Sequence, residues 1–291
     1  MKIARSHHGK VILFGEYTVI STGEALALPM KSIVGFLNKN SSTNDRSTRY
    51  IKAFADYLET LKLPYDVVLD IPSLKKDLND GLYLETNATI GYGIGSSGIL
   101  TACVFRHYAL LSSKLSLEEL KHILAEMESF FHGNSSGLDP LISYLDQAIV
   151  LGKNNIELLD GLEETILSRF YLLDTGITRN TEPLVKWYKE QLNKPVFRDA
   201  MDQMSLLVKQ SIQATLLGGL EDLTLIMKQL SAHQLVHLNR LIPESVIEIW
   251  EKGLENDDYY LKLCGAGGGG YMLVFVVDGP PMVEQELIPL T

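Results

Sequence analysis

The stretch GIGSSG at residues 93–98 (Gly93, Ile94, Gly95, Ser96, Ser97, Gly98) decides how the rest of the chain is read. Before it, LYLETNAT at residues 82–89 alternates apolar and polar side chains as a half-buried strand does. After it, ILTACVFRHYALL at residues 99–111 is apolar enough for a buried helix. The glycines therefore sit at a strand-to-helix turn. Such a turn gathers unpaired backbone N–H groups at the positive end of the helix dipole, which suits an anion. Glycine lets the backbone approach a phosphate without a Cβ in the way, and Ser96 and Ser97 offer hydroxyls to the phosphate or its metal. Short Gly/Ser turns also serve as plain connectors, so the turn alone leaves both readings open. It lacks the GKS or GKT ending of a Walker loop, and it lacks the early GxGxxG and following acid of a dinucleotide fold.

Composition narrows the classes. At 291 residues the chain has room for one large or two ordinary domains, and 46% hydrophobic with 21% charged residues describes a soluble globular protein. A formal net charge of -10 and a pI near 5.2 argue against nucleic-acid and anionic-membrane partners, which need clustered positive charge. Two cysteines far apart, Cys103 and Cys264, and no secretory leader point to reduced thiols and a cytoplasmic location. The seven histidines lack metal-ligand spacing, which argues against zinc.

Taken in order, residues 2–36 read as strands around a turn at STGEA, with KVILFGEYTVI as a strand running to Ile20. Lys10 heads that strand, where a lone lysine is most simply a solvated edge charge, and Glu16 follows a glycine. SSTNDRS at residues 41–47 is a polar loop that could cover a nucleotide or merely connect. Residues 48–62 read as helix and 65–71, YDVVLDI, as strand. Ser116 and Glu119 form a capping box for a helix to about residue 131, on which Glu126 and Glu128, two apart, cannot share a face. HGNSSGLDP at residues 132–140 then breaks the helix, and Asp139 has a structural reading there as the N-cap of the next one.

The loop and helix around 152–166 form a plausible boundary. A strand follows at 170–174, then helices over 181–192, 196–217, 220–231 and 243–256. Met201, Met204 and Met227 read as core, and His233 with His237 as packing or surface residues. Gly267, Gly268, Gly269 and Gly270 interrupt the apolar run at 261–277; four glycines between buried strands fit close backbone packing against a loop or ligand better than a linker.

With these segments in hand, the chain resembles the GHMP small-molecule kinases over nearly its whole length, and among them the mevalonate kinases. GKVILFGEYTVI at 9–20 is similar to the family's first motif, GIGSSG to its second and LCGAGGGG at 263–270 to its third; HGNSSGLD at 132–139 and ITRNTEPLV at 177–185 point the same way. The resemblance implies an α+β, two-domain GHMP kinase fold with the active site in the cleft between domains, residues 1–165 forming the N-terminal domain and 166–291 the C-terminal one. It implies ATP and Mg²⁺, with Gly93, Ile94, Gly95, Ser96, Ser97 and Gly98 holding the nucleotide, Ser97 and Glu128 holding the metal, and Asp139 and Lys10 as the catalytic pair. Glu128 stands eleven residues before Asp139, the spacing the family uses. Glu16, Tyr17, Gly265, Ala266, Gly267 and Arg179 are the implied substrate residues. The acceptor implied is a small-molecule hydroxyl, most simply mevalonate, with a second copy of the chain as a further candidate partner.

Two departures bear on the acceptor. Tyr17 replaces the histidine common after the Gly-Glu pair, and His7-His8 replaces Ala-Pro before Gly9. The GEY and YGIGSSG forms are similar to phosphomevalonate kinases, whose phosphorylated substrate calls for extra cations; Arg179 and Lys186 are candidates. A third reading is a non-catalytic metabolite and nucleotide sensor, which would be free to lose Lys10, Glu128 and Asp139.

Overall fold

The computed structural model describes the chain apart from residues 1–4, 41–45, 90, 91, 134, 154, 280–282, 284 and 291. In chain order its elements are β1 (His7–Phe14), α1 (Val19–Thr22), β2 (Ala25–Lys39), α2 (Arg46–Thr60), β3 (Val68–Leu69), α3 (Ile71–Asn79), β4 (Leu82–Thr86), α4 (Ser96–Tyr108), β5 (Ala109–Leu110), α5 (Leu117–His132), α6 (Leu138–Leu145), β6 (Ala148–Leu151) and β7 (Ile156–Leu159). There follow α7 (Glu164–Leu167), β8 (Phe170–Asp174), α8 (Thr181–Gln191), α9 (Pro195–Leu216), α10 (Leu220–His237), a 3₁₀ turn at Asn239–Leu241, α11 (Glu244–Asn256), β9 (Tyr259–Leu263), β10 (Tyr271–Val276) and β11 (Leu287–Pro289). Helix and sheet are mixed throughout, as the sequence predicts.

Two compact units interleave along the chain. The first comprises Met1–Lys10, Pro29–Thr89 and Ile94–Gln147. In it the second half of β2 pairs antiparallel with β4, from Gly35 opposite Thr86 to Lys39 opposite Leu82. Helix α4 is buried on nearly every side, from Gly98 through Phe105, as a helix apolar all round must be. It packs against α5 and α6, while α2 packs on α3 and β4. The second unit comprises Val11–Leu28, Ile90–Gly93 and Ala148–Thr291. Its four-stranded sheet runs β11-β8-β10-β9, antiparallel at each pairing, and β6 lies between β7 and the first residues of β2. Every residue of β9 and β10 is buried, and Trp250 of α11 and Tyr188 of α8 are wholly enclosed.

Several local readings change. The first strand stops at Phe14 because Gly15 takes φ +104°, and Val19 and Ile20 enter the short α1 instead of prolonging it. Of the strand expected over 65–71 only Val68 and Leu69 pair, with β5; Tyr65 and Asp66 have positive φ, and Asp70 caps α3 through the Ser73 N–H, with Pro72 in its first turn. Strand β7 arises inside the expected boundary region. The loop proposed over a nucleotide lies outside the described residues at 41–45, and its last two residues begin α2. Among the described residues no helix is long and apolar enough to cross a membrane.

Candidate active site

The first unit brings together Lys10, residues 94–98 of the glycine-serine turn, Glu128 and Asp139. Lys10, at the point where β1 passes beside the GIGSSG turn, is 5% exposed, and its Nζ lies 3.1 Å from Asp139 Oδ2. Its backbone N–H donates to the Ile94 carbonyl at 3.0 Å, so main chain and side chain fix it at once. The lysine is thus interior and paired, not a solvated edge charge. Asp139 is the second residue of α6, whose N-cap is Gly137, so its carboxylate is not spent on capping. It is about a third exposed.

Helix α4 begins at Ser96 with Gly95 as N-cap and no side chain capping its first N–H groups. Gly95 holds φ +85°, and a Cβ there would come 3.2 Å from Lys10 Cγ. Gly98 lies against the Asp139 backbone, at 2.9 Å from where its Cβ would stand. Glycine is therefore favoured at Gly95 by its left-handed backbone and required at Gly98 by the Asp139 backbone it packs against. Ile94 is buried, and Ser96 is half-buried at the first helical position.

Ser97 Oγ donates to Glu128 Oε1 at 2.9 Å, and Ser135 Oγ donates to Glu128 Oε2 at 2.5 Å. Glu128 is 3% exposed, whereas Glu126, two residues earlier, points to solvent. Burial first, and then the neighbouring Asp139 carboxylate, push the Glu128 carboxyl up to about 7, against the pull of the two serine hydroxyls and Lys10. Two carboxylates thus share one lysine in a largely enclosed place. Such a set is short of positive charge and offers only hard oxygen donors, which fits Mg²⁺.

The second unit holds the remaining candidates. Tyr17 is buried, packs at a tilt against Tyr188 with ring centroids 4.4 Å apart, and donates its hydroxyl to the Ala266 carbonyl at 2.8 Å. Burial raises its pKa well above the ordinary phenol value, so it serves as a neutral donor. Glu16 meets Lys262, which is wholly buried in β9, at 2.7 Å; Gln234 of α10 donates to the same Glu16 oxygen at 3.2 Å and accepts the Leu263 N–H at 2.8 Å. Arg179 donates to the Cys264 carbonyl at 2.8 Å and lies against Gly93 and Gly265, so that a Cβ at Gly93 would fall on its guanidinium. Its Nε is buried without a hydrogen-bond partner, and no carboxylate pairs with it among the described residues. Gly267 approaches the 3₁₀ turn at Leu241. Lys186 stands exposed on α8.

Ser135, Lys262 and Gln234 were not singled out by residue pattern. Lys262 carried a signal, a lone charge inside an apolar strand run; Ser135 lies within the quoted HGNSSGLDP segment, and Gln234 gives none. Among the described residues no three His, Cys, Asp or Glu side chains form a metal cluster.

Comparison with known proteins gives the class. Residues 49–147 match the family model described as GHMP kinases N terminal domain. The chain is 26% identical over 298 residues to the mevalonate kinase of Pyrococcus horikoshii, covering 93% of this chain and 87% of that protein. The crystal structure of L. major mevalonate kinase in complex with R-mevalonate superposes with a TM-score of 0.64 at 19% identity, over 96% of this chain and 89% of that one. The Streptococcus pneumoniae phosphomevalonate kinase in complex with phosphomevalonate and AMPPNP superposes with a TM-score of 0.64 at 15% identity, over 95% and 93%. The chain shares the fold of these kinases, and its residues 49–147 are similar to the N-terminal domain of the GHMP kinases. Almost from end to end it is similar to mevalonate kinases.

Proposed function

We propose that the protein is an ATP-dependent small-molecule kinase that transfers the γ-phosphoryl group of ATP to the hydroxyl of mevalonate. The Lys10–Asp139 ion pair, set against the serine turn that opens α4, is the observation that carries this reading. Phosphoryl transfer asks a protein for position and charge more than for covalent help. The uncapped N–H groups of α4 and the hydroxyls of Ser96 and Ser97 suit the phosphates of ATP. Ser97 and Glu128 would hold Mg²⁺, which when bound neutralises charge on the transferring phosphate. Asp139 accepts the proton of the acceptor hydroxyl as the hydroxyl oxygen bonds to the γ-phosphorus and the bond to the β–γ bridging oxygen breaks, releasing ADP; Lys10 holds that carboxylate in place and offsets the negative charge gathering beside it.

Arg179, with no acid partner among the described residues, is the candidate for the acceptor's anionic group. A phosphate would suit it as well as a carboxylate, which keeps phosphomevalonate as the second acceptor. The test is ADP formation by the purified protein with ATP, Mg²⁺ and each acceptor in turn. Fastest turnover with mevalonate supports the proposal, and fastest turnover with phosphomevalonate moves it to the second acceptor. Nucleotide binding without ADP from any acceptor would favour a non-catalytic sensor.

A further inference from the structure

Both oxygens of Glu128 are held by hydroxyl donors, but the two donors differ in what stands behind them. Ser97 belongs to the α4 turn. Ser135 belongs to the loop between α5 and α6, and two hydrogen bonds besides its bond to Glu128 fix it there. Its N–H donates to Ser129 Oγ at 3.3 Å, and Ser129 in turn donates to the Ala125 carbonyl of α5 at 2.8 Å. Its Oγ accepts the Gly137 N–H at 3.0 Å. With that amide occupying one side of the oxygen, the single hydroxyl proton is directed at Glu128 Oε2, at a distance typical of a charge-assisted bond. Two residues beyond Gly137 the chain reaches Asp139. One side chain therefore sets the rotation of the Glu128 carboxylate and the course of the backbone into Asp139.

We propose that Ser135 is a positioning residue for Glu128, fixing the plane of its carboxylate so that the lone pairs its serine donors leave unused can meet a divalent cation. This rests on the reading of Glu128 as a magnesium ligand. A plain loop-capping serine would affect stability and leave metal affinity alone, so the two roles separate experimentally. Removing partners that orient a metal ligand costs about tenfold to a hundredfold in metal affinity.

The experiment uses the full chain with Ser135→Ala, Ser135→Cys and Ser135→Thr. Mn²⁺ binding in the presence of the non-reacting nucleotide AMPPNP is followed by electron paramagnetic resonance, beside the Mg²⁺ concentration giving half-maximal rate and the melting temperature. Alanine and cysteine are expected to weaken Mn²⁺ binding by about tenfold to a hundredfold and to raise the Mg²⁺ requirement in step. Excess Mg²⁺ recovers most of the rate, and threonine, which keeps the hydroxyl, restores wild-type affinity. If the alanine variant does not fold, the near-isosteric cysteine variant is read in its place. Unchanged Mn²⁺ affinity in alanine and cysteine, or threonine as weak as alanine, overturns the proposal. Should the wild type itself bind no Mn²⁺ with nucleotide, the metal reading beneath it falls; a wild type that binds beside an unaffected alanine variant removes only the role of Ser135.

Discussion

Lys10 and Asp139 show how much a residue's meaning depends on what the chain lays over it. Type and neighbours alone put Lys10 at the solvated head of a strand, because nothing local announces that a carboxylate from far later in the chain will close on it at 3.1 Å. The resemblance points to Asp139 with Lys10 and to Glu128 with Ser97, pairs that do meet in the fold, whereas the contact of Ser135 with Glu128 gives no signal, since a serine among glycines reads as a turn. If Asp139 receives the acceptor's proton, Asp139→Asn lowers kcat by about 10² to 10⁴-fold with little change in KM for ATP, measured by coupled assay. Glu128 supplies a second prediction. Its folded pKa, about 7, lies above the unfolded carboxyl value of roughly 4.3, so the native state binds the proton more tightly. The stability this gives is complete below the unfolded value and is lost as pH rises through 7. Without metal, Glu128→Gln should therefore melt higher than wild type at pH 8, and the gap should close at pH 5. A constant gap across that range would show that burial of the charge is not what the glutamate contributes.

At the scale of elements, the readings that held were those with complete local signals. The Ser116–Glu119 capping box forms as read and starts α5, with each partner bonding the other's backbone. The two apolar runs around the four glycines are the buried strands β9 and β10. The segment at 65–71 went the other way because its β-branched content competes with Asp70 and Pro72, a cap and a first-turn residue that start α3. The turn opening α4 is where element geometry is most constrained. Gly95→Ala places a Cβ in left-handed backbone beside Lys10, at a cost of roughly 1–2 kcal/mol. We expect a lower melting temperature and, because Lys10 must give way, a loss of kcat larger than that destabilisation explains.

For the whole molecule, the acidic balance of -10 means that any triphosphate is held by local geometry against an unfavourable overall field. Binding should accordingly depend on the cation. At a hundredfold excess over its dissociation constant, Mg²⁺ with AMPPNP stabilises the native state by about 2.7 kcal/mol, and AMPPNP with a chelator should give a much smaller rise in melting temperature by calorimetry. Equal shifts with and without Mg²⁺ would set aside the metal role proposed for Glu128 and Ser97.

The interleaving of the two units bears on how the chain comes to be folded. Val11–Leu28 is made early, yet much of what it packs on inside its own unit is made in the second half of synthesis: Phe14 meets Phe170, Glu16 meets Lys262, and Tyr17 reaches Ala266. During synthesis an apolar ribbon must wait for more than half of the polypeptide to leave the ribosome. Contacts of such long sequence separation fold slowly and leave sticky surface open meanwhile. Nascent chains halted before β8 should be the ones that chaperones retain.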